Sequence, residues 1–316
     1  MRYNGGIVMK KSILLLASLM FLATFTSCFK DKEGEYKPKE KISRIYKDYG
    51  DGDGKELREV WNWDKKQLQR IDHYYDGYLD WSEEFTYNKK GQIERVDCYE
   101  CGEYTEYTYD GRKLSKSTCY EDGSIYEEYK FKHDGNKITK IEILYFYNRG
   151  SRDNSRLRKE GYNPLRILLP ENDYQTLVKV IENNPASRGG MVTVKLEWEK
   201  KNVSKIEVTS GSDRYTVELK YDDKLNPLKN FFSLYPEDAF ADESDYSLSK
   251  NNVVEERFIE DGETEIDKYS YSYDGKFPTV KRYTYSYKIP IWDNYIDSII
   301  GYETGTRTTS TYYEYE

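Results

Sequence analysis

Only two histidines, four cysteines and eight prolines occur in 316 residues. Scarce histidine removes most metal centres and most nucleophilic triads, which lean on imidazole. Neither His73 nor His133 sits in a motif, and His133, within the turn Phe131–Gly135, reads as a solvated turn residue. There is no Gly-x-Ser-x-Gly elbow and no glycine-rich phosphate loop. Positive charge is not in excess. The net charge is −8, which argues against nucleic acid as a partner, because its recognition uses basic stripes. One basic run, Arg149, Arg152, Arg156, Arg158 and Lys159, has acids interspersed and reads as a solvated loop. Long apolar runs are missing too, except Ile13 to Phe25. That run has about the length of a signal-peptide core and is too short to cross a bilayer.

Lys10 and Lys11 precede this run, and Met9 directly before them is the expected start, with residues 1–8 an overrun. The run closes Phe25-Thr26-Ser27-Cys28. Small residues before a cysteine suit the lipoprotein signal peptidase, although Phe25 stands where leucine is usual. Cys28 is therefore the expected lipidation site, and a chain carrying two or more acyl groups anchors stably. An ordinary cleaved signal beside a chance cysteine is the alternative. The following stretch, Phe29 to Lys41, is charged and nearly free of apolar residues, so it cannot bury enough surface to fold. Its Lys-then-acid opening resembles tracts that take some Gram-negative lipoproteins to the outer leaflet; a plain solvated spacer fits as well. The expected organisation is a signal peptide at 1–27, a lipidated cysteine with a flexible tether at 28–40, and a β-hairpin repeat domain at 41–316. The expected location is the outer membrane, lipid-anchored, on the periplasmic face or the cell surface.

Mean hydropathy is −0.94 and 34% of residues are charged, yet 16% are aromatic and tyrosine alone numbers 34. Disordered chains are poor in aromatics. Tyrosine favours strands and joins an apolar ring to a polar tip. One phrase recurs: aromatic, any residue, aromatic, Asp or Asn, a short turn, then an aliphatic, two polar residues and another aliphatic. Trp61-Asn62-Trp63-Asp64 leads into Leu68 and Ile71, Phe85-Thr86-Tyr87-Asn88 into Ile93 and Val96, and Tyr107-Thr108-Tyr109-Asp110 into Leu114. Later copies begin at Tyr129, Leu196, Leu219 and Tyr271. Phe85, Tyr107 and Tyr129 are about 22 residues apart, a period that signals a stacked array. Each unit reads as a hairpin, with alternation before the turn, Asp-Gly supplying positive φ, and β-branched residues after it. Helices are excluded because glycine interrupts about every ten residues. The expected fold is mainly β: an antiparallel meander of hairpins forming a large curved or barrel-like sheet. One short helix is expected in an insertion at about 150–190, where Pro170-Glu171-Asn172-Asp173 precedes Leu177, Val178, Val180 and Ile181.

These Tyr-x-Tyr-Asp phrases resemble the YD repeats of Rhs-type wall proteins. With Tyr221-Asp222-Asp223-Lys224-Leu225-Asn226-Pro227-Leu228 and Leu248-Ser249-Lys250-Asn251-Asn252-Val253, residues 41 to 290 look like a family of bacterial lipoproteins of unknown function with a porin-like fold. The resemblance implies a barrel-like sheet and a surface lipoprotein, and it implies no catalytic residues. An embedded pore is not expected, because both faces of Gln92–Cys98 carry charge or amide where a lipid-facing strand must be apolar.

Besides Cys28, the cysteines are Cys98, Cys101 and Cys119. Outside the cytoplasm a disulfide is the first reading. Counting back from a turn at Asp110-Gly111 sets residue 101 beside residue 120, so Cys101–Cys119 is expected, with Cys98–Cys101 the alternative. No metal site is expected, since the second CxxC or His pair is missing. Asp48-Tyr49-Gly50-Asp51-Gly52-Asp53-Gly54 fails as a calcium loop, because fixing Gly54 puts Tyr49 and Val60 where acids are needed. It reads as a hairpin turn. The aromatics Trp61, Trp63, Tyr74, Tyr75, Tyr78 and Trp81 are candidates for stacking on a sugar or anchoring a protein; they are equally the packing that joins strands. The expected role is a non-enzymatic, cofactor-free lipoprotein that presents a binding face to a glycan or a surface protein. A purely structural envelope protein is the alternative, and a glycan-processing enzyme a third.

Overall fold

The computed structural model describes residues 32–99, 101–146, 191–211, 213–231, 247–260, 262–293 and 298–316. Cys28, the signal segment and the expected helix lie outside them. Sixteen antiparallel strands close into a barrel in sequence order, with the first strand paired to the last. The odd strands rise from one end, here the lower: β1 (Ile42–Asp48), β3 (Gln67–Tyr75), β5 (Ile93–Cys98), β7 (Lys113–Glu121), β9 (Lys137–Tyr145), β11 (Asn202–Ser210), β13 (Asn251–Glu260) and β15 (Phe277–Asp293). The even strands descend: β2 (Glu56–Asp64), β4 (Tyr78–Tyr87), β6 (Glu103–Asp110), β8 (Ser124–Asp134), β10 (Met191–Glu199), β12 (Asp213–Leu225), β14 (Glu263–Asp274) and β16 (Ser298–Tyr315).

The recurring phrase now has a structural cause. In every hairpin closed at the lower end, one extra residue bulges from the returning strand. Asn62 faces Arg70 but Trp63 faces Leu68, and the slip recurs at Tyr87, Tyr109, His133, Trp198, Tyr221 and Tyr273. A bulge shifts the alternation of side chains by one. It therefore lets residues three apart, such as Leu68 and Ile71 or Ile138 and Ile141, both face inward and become buried.

Aromatics near the lower end, in most copies the second of the phrase but Tyr271 the first of its own, tie that end together. There, neighbours such as β3 and β4 are not joined by a turn. The Tyr87 hydroxyl donates to the Leu68 carbonyl, Tyr109 to Ile93, Tyr221 to Val203, Tyr271 to Val253 and Tyr315 to Pro278, while the indoles of Trp63 and Trp198 donate to Ile42 and Ile138, all at 2.6–2.8 Å. Each ring fills core while its polar tip satisfies a buried carbonyl.

The wall has opposite characters on its two sides. Inside, Leu68, Ile93, Leu114, Ile141, Val194, Val208 and Val217 are fully buried. Outside, charges form ladders across strands. Glu128 lies 3.2 Å from both Lys116 and Lys130. Glu142 is 2.6 Å from Lys132 and 2.8 Å from Lys140, whose hydrogen bonds hold its carboxyl down at about 2. Glu207 joins Lys205 and Arg214 at 2.6 and 3.0 Å, and Lys220 meets Glu255 at 2.7 Å. Such pairs contribute little stability singly. They show which side faces water.

The expected flexible tether ends earlier than composition implied. Glu33–Glu316 is one compact unit, and residues from Glu33 seal the lower mouth. The Glu33 amide donates to the Arg112 carbonyl, the Ile93 amide to Gly34, and the Glu33 carboxylate accepts from the Leu114 amide at 2.6 Å. Tyr36 is buried against Trp61, Trp63 and Phe231, with its hydroxyl on the Pro227 carbonyl. One aromatic ring gives this charged stretch the burial it otherwise lacks. Gly34 is required here: its φ is +73°, and an added Cβ would lie 1.9 Å from the Tyr109 hydroxyl oxygen.

Candidate functional site

The candidate aromatics divide. Trp61 and Trp81 are buried inside the barrel, and Trp63 packs on that core. Trp61 donates to Glu59 at 2.7 Å. Trp81 stacks on His73 with ring centroids 3.8 Å apart, and His73 Nε2 is 3.3 Å from Glu83. Trp61 and Trp81 cannot meet a ligand without the barrel opening, so the candidate face loses them; Trp63 is half-buried, with its indole on the Ile42 carbonyl. Tyr74 is half-buried. Tyr75 and Tyr78, at the β3–β4 turn, are 58% and 79% exposed and remain.

Other buried acids inside the barrel have aromatic partners of their own. Tyr129 donates to Glu127, Tyr269 to Glu256 at 3.3 Å and Tyr283 to Asp267 at 2.8 Å. Burial raises Glu127 to about 8, opposed by the Tyr129 hydrogen bond and reinforced by Glu103. Burial likewise raises Glu59, opposed chiefly by the nearby His73. These carboxyls serve the packing of rings.

Two expectations are corrected. The disulfide joins Cys98 and Cys101, whose Cα atoms are 5.5 Å apart, and Cys119 is a buried free thiol. Counting failed because Asp110 pairs with Lys113 and a bulge follows at Tyr109, so Cys119 faces Thr105 and Cys101 lies above the strand pair. Burial pushes the Cys119 thiol well up. His133 is not solvated: its side chain is 9% exposed and Nε2 lies 3.0 and 3.1 Å from the two Glu33 carboxylate oxygens. Alternation along β8 puts His133 on the inward side with Tyr129 and Phe131, where the Glu33 segment passes. The Asp48–Gly54 stretch is the β1–β2 turn, as expected, with Asp48 accepting from the Gly50 amide. Among the described residues no group of three or more His, Cys, Asp or Glu could hold a metal ion.

The upper rim gathers what the interior excludes. Among the described residues, every large apolar side chain that is exposed lies at that end. Tyr75, Tyr78 and Leu79 flank one turn, Tyr99 the next, and Ile125 the third; Phe146, Met191 and Ile266 continue around the rim. The Tyr99 amide donates to Ser82 and the Asp122 amide to Gly102, so these turns are neighbours. Exposed Asp51, Asp53, Asp76, Asp80 and Asp122 sit between the rings. Arg58 lies 5.3 Å from the Tyr75 ring and 5.8 Å from Tyr49. Tyr99 and Leu79 escaped the sequence reading because nothing in their local pattern distinguishes a turn aromatic from a packed one.

No protein-family model matches the chain, and no curated protein is similar to it in sequence. Solved structures that resemble it in shape include two porin-like proteins. A porin-like protein from Bacteroides uniformis ATCC 8492 is 12% identical with a TM-score of 0.46, covering 87% of this chain and 98% of that one. A porin-like protein from Bacteroides vulgatus ATCC 8482 is 10% identical with a TM-score of 0.44, covering 88% and 99%.

Proposed function

We propose that this chain is an exported, lipid-anchored envelope barrel of a Gram-negative bacterium. It is not a pore and not an enzyme, and its upper rim presents a binding surface to a glycan or a protein. The observation that carries the reading is the polarity of the wall. A barrel in lipid needs an apolar outer band, and a Lys or Arg on that face costs about 2–4 kcal/mol at the midplane. Here the outer face carries the Lys–Glu and Arg–Glu ladders and the inner face carries the aliphatics. The lower mouth is closed by Glu33–Tyr36 and Phe231. The Lys-acid tract and the Tyr-x-Tyr-Asp phrases support membership of a YD-like, porin-like surface lipoprotein family.

Anchoring at Cys28 orients the molecule. Glu33 lies five positions after Cys28, and extended chain spans at most about 3.6 Å per residue. The lower mouth then stays within about 18 Å of the bilayer surface, and the aromatic rim faces away. A structural protein with no ligand is the second reading, favoured by the burial of Trp61 and Trp81.

The test is a glycan-array and envelope-extract screen with soluble residues 29–316 beside a Tyr75→Ala, Tyr78→Ala, Tyr99→Ala variant. Specific binding that the variant loses, at unchanged thermal stability, supports the rim. No binding by folded wild type favours the structural reading. Conductance in a planar bilayer would refute both. Labelling by radioactive palmitate that Cys28→Ala abolishes checks the anchor.

A further inference from the structure

A closed meander leaves few strand edges open, yet one hairpin outruns its neighbours. β15 and β16 stay paired from Val280 with Tyr312 up to Asp293 with Ser298. β14 leaves β15 after Tyr269 pairs with Tyr283, and β1 leaves β16 after Asp48 pairs with Ser310. The turn after β1 still rests on β16 at Thr308, where a Cβ added to Gly50 would lie 2.4 Å from the carbonyl oxygen. From Thr306 upward, β16 has no ladder partner except β15 among the described residues. The hairpin therefore continues past its neighbours as a two-stranded ribbon. Gly301–Thr306 of β16 keeps an unbroken register with β15, and the bulge lies above it, where Ile291 faces Gly301 but Trp292 faces Ile299.

The two outer edges of this ribbon differ. An open edge offers alternate amides and carbonyls to any other strand, and proteins discourage such pairing with lysine and proline. Beyond Tyr283, β15 carries both, as Lys288 and Pro290. Gly301–Thr306 carries neither, and its one charge is Glu303. A two-stranded ribbon alone is marginal in water, and further strands stabilise it. We propose that two copies of this chain join by antiparallel pairing of the β16 edge Gly301–Thr306, ribbon beside ribbon, in a two-fold dimer. A second copy fits because it brings the same proline-free edge, and a two-fold axis across the strands satisfies both edges at once. Antiparallel pairing inverts one barrel relative to the other, so the upper rims face each other and the closed lower ends point apart. The pairing itself needs no anchor. On the anchored reading above, it joins copies on facing membranes and not copies side by side on one.

The experiment uses soluble residues 29–316, which carry no acyl chain, so its outcome is independent of lipidation at Cys28. Sedimentation equilibrium over a range of concentrations measures the dimer, and small-angle X-ray scattering gives its shape. Wild type is expected to dimerise, with the dimer elongated along the barrel axis. Thr304 and Thr306 are exposed, so Thr304→Lys with Thr306→Lys should leave the thermal melt unchanged while placing lysines of both copies along the shared edge. That variant should dissociate with a constant raised at least about tenfold. Thr304→Lys alone serves if the pair disturbs the ribbon. Ser286→Lys, exposed on β15, should dimerise as wild type does. A monomer at every concentration, a dimer that survives the β16 lysines in a folded variant, equal loss from the β15 lysine, or a side-by-side dimer in scattering would each overturn the proposal. Ligand binding at the rim is scored separately in the screen above, so loss of one reading leaves the other measurable.

Discussion

Replacing the latch tyrosines by phenylalanine tests the account of the repeat directly. Tyr87→Phe, Tyr109→Phe and Tyr221→Phe each keep the ring and delete one hydroxyl that donates to a carbonyl at 2.6–2.7 Å. A hydrogen bond of this kind contributes about 1 kcal/mol net, and a buried acceptor left without its donor raises the loss toward about 3 kcal/mol. Tyr221 should cost most, because its hydroxyl also accepts from Ser249 at 2.9 Å. Tyr221 stands apart from the other two and should add to either, whereas Tyr87 and Tyr109 meet at Ile93, which pairs with Tyr87 and accepts from Tyr109, and so should couple; the triple variant should lose about 3–6 kcal/mol. Urea unfolding of residues 29–316 measures this as a lowered midpoint at unchanged slope. Alkaline titration gives a second readout. Burial raises all three phenols above their ordinary value of 10.0. Their contribution is complete below that value and falls as pH climbs above it, because the unfolded chain ionises first. The triple variant should show a shallower alkaline loss. Single variants within about 0.3 kcal/mol of wild type would mean that the rings act by packing alone and that the latch reading is wrong.

Glu127→Gln should change the pH dependence with a definite sign. The folded carboxyl titrates at about 8 against a reference of 4.5, so wild-type stability is full below about pH 4.5 and falls until about pH 8. The variant should flatten that decline and be the more stable protein at pH 8 by a few kcal/mol; an unchanged pH profile would place Glu127 in water. Glu33→Ala should cost about 1–3 kcal/mol by stripping the Leu114 amide and His133 of their acceptor, Glu33→Gln much less, and Gly34→Ala should be worse through its clash with Tyr109; thermal melts of the three rank them, and equal melts would deny the seal. Thiol titration of native residues 29–316 should find no reactive cysteine, one after unfolding and three after unfolding with reductant. Reduction alone should cost at most about 2 kcal/mol, because the disulfide closes a very short loop. A reactive native thiol would place Cys119 outside the core.

The hairpins were legible because three local signals agree: period-two alternation, Asp-Gly turns and regular spacing. The bulge was also written in the chain, since Leu68-x-x-Ile71 and Ile93-x-x-Val96 cannot both face inward on a regular strand. A recurring phrase shows the spacing but not the slipped register, so plain hairpin counting misplaces Cys101. Closure to sixteen strands was not legible beyond curvature, because it depends on β1 meeting β16 across the whole length of the chain. The burial of Tyr36 was hidden for a different reason. A segment judged by its own composition looks solvated, whereas its one ring completes a cluster made by Trp61, Trp63 and Phe231 from distant parts of the sequence.

The candidate site shows where pattern reading stops. Trp61, Trp81, Tyr75 and Tyr78 look alike as aromatics in a repeat, and only the position along the strand separates them. Trp61 and Trp81 lie between turns on the inner face and pack there; Tyr75 and Tyr78, at an upper turn, have no opposite wall to meet. The aromatic excess therefore answers two separate demands. Most rings are required by the fold, as the latches show. Exposed rings at turns are not required by it, and exposed Tyr78 and Tyr99, 79% and 73% accessible, forgo roughly 25 cal/mol for each Å² of apolar surface that burial would have recovered. Exposed apolar surface confined to one end of a barrel whose remaining outer wall is charged is what a recognition face needs. At the opposite end no large apolar side chain among the described residues is exposed.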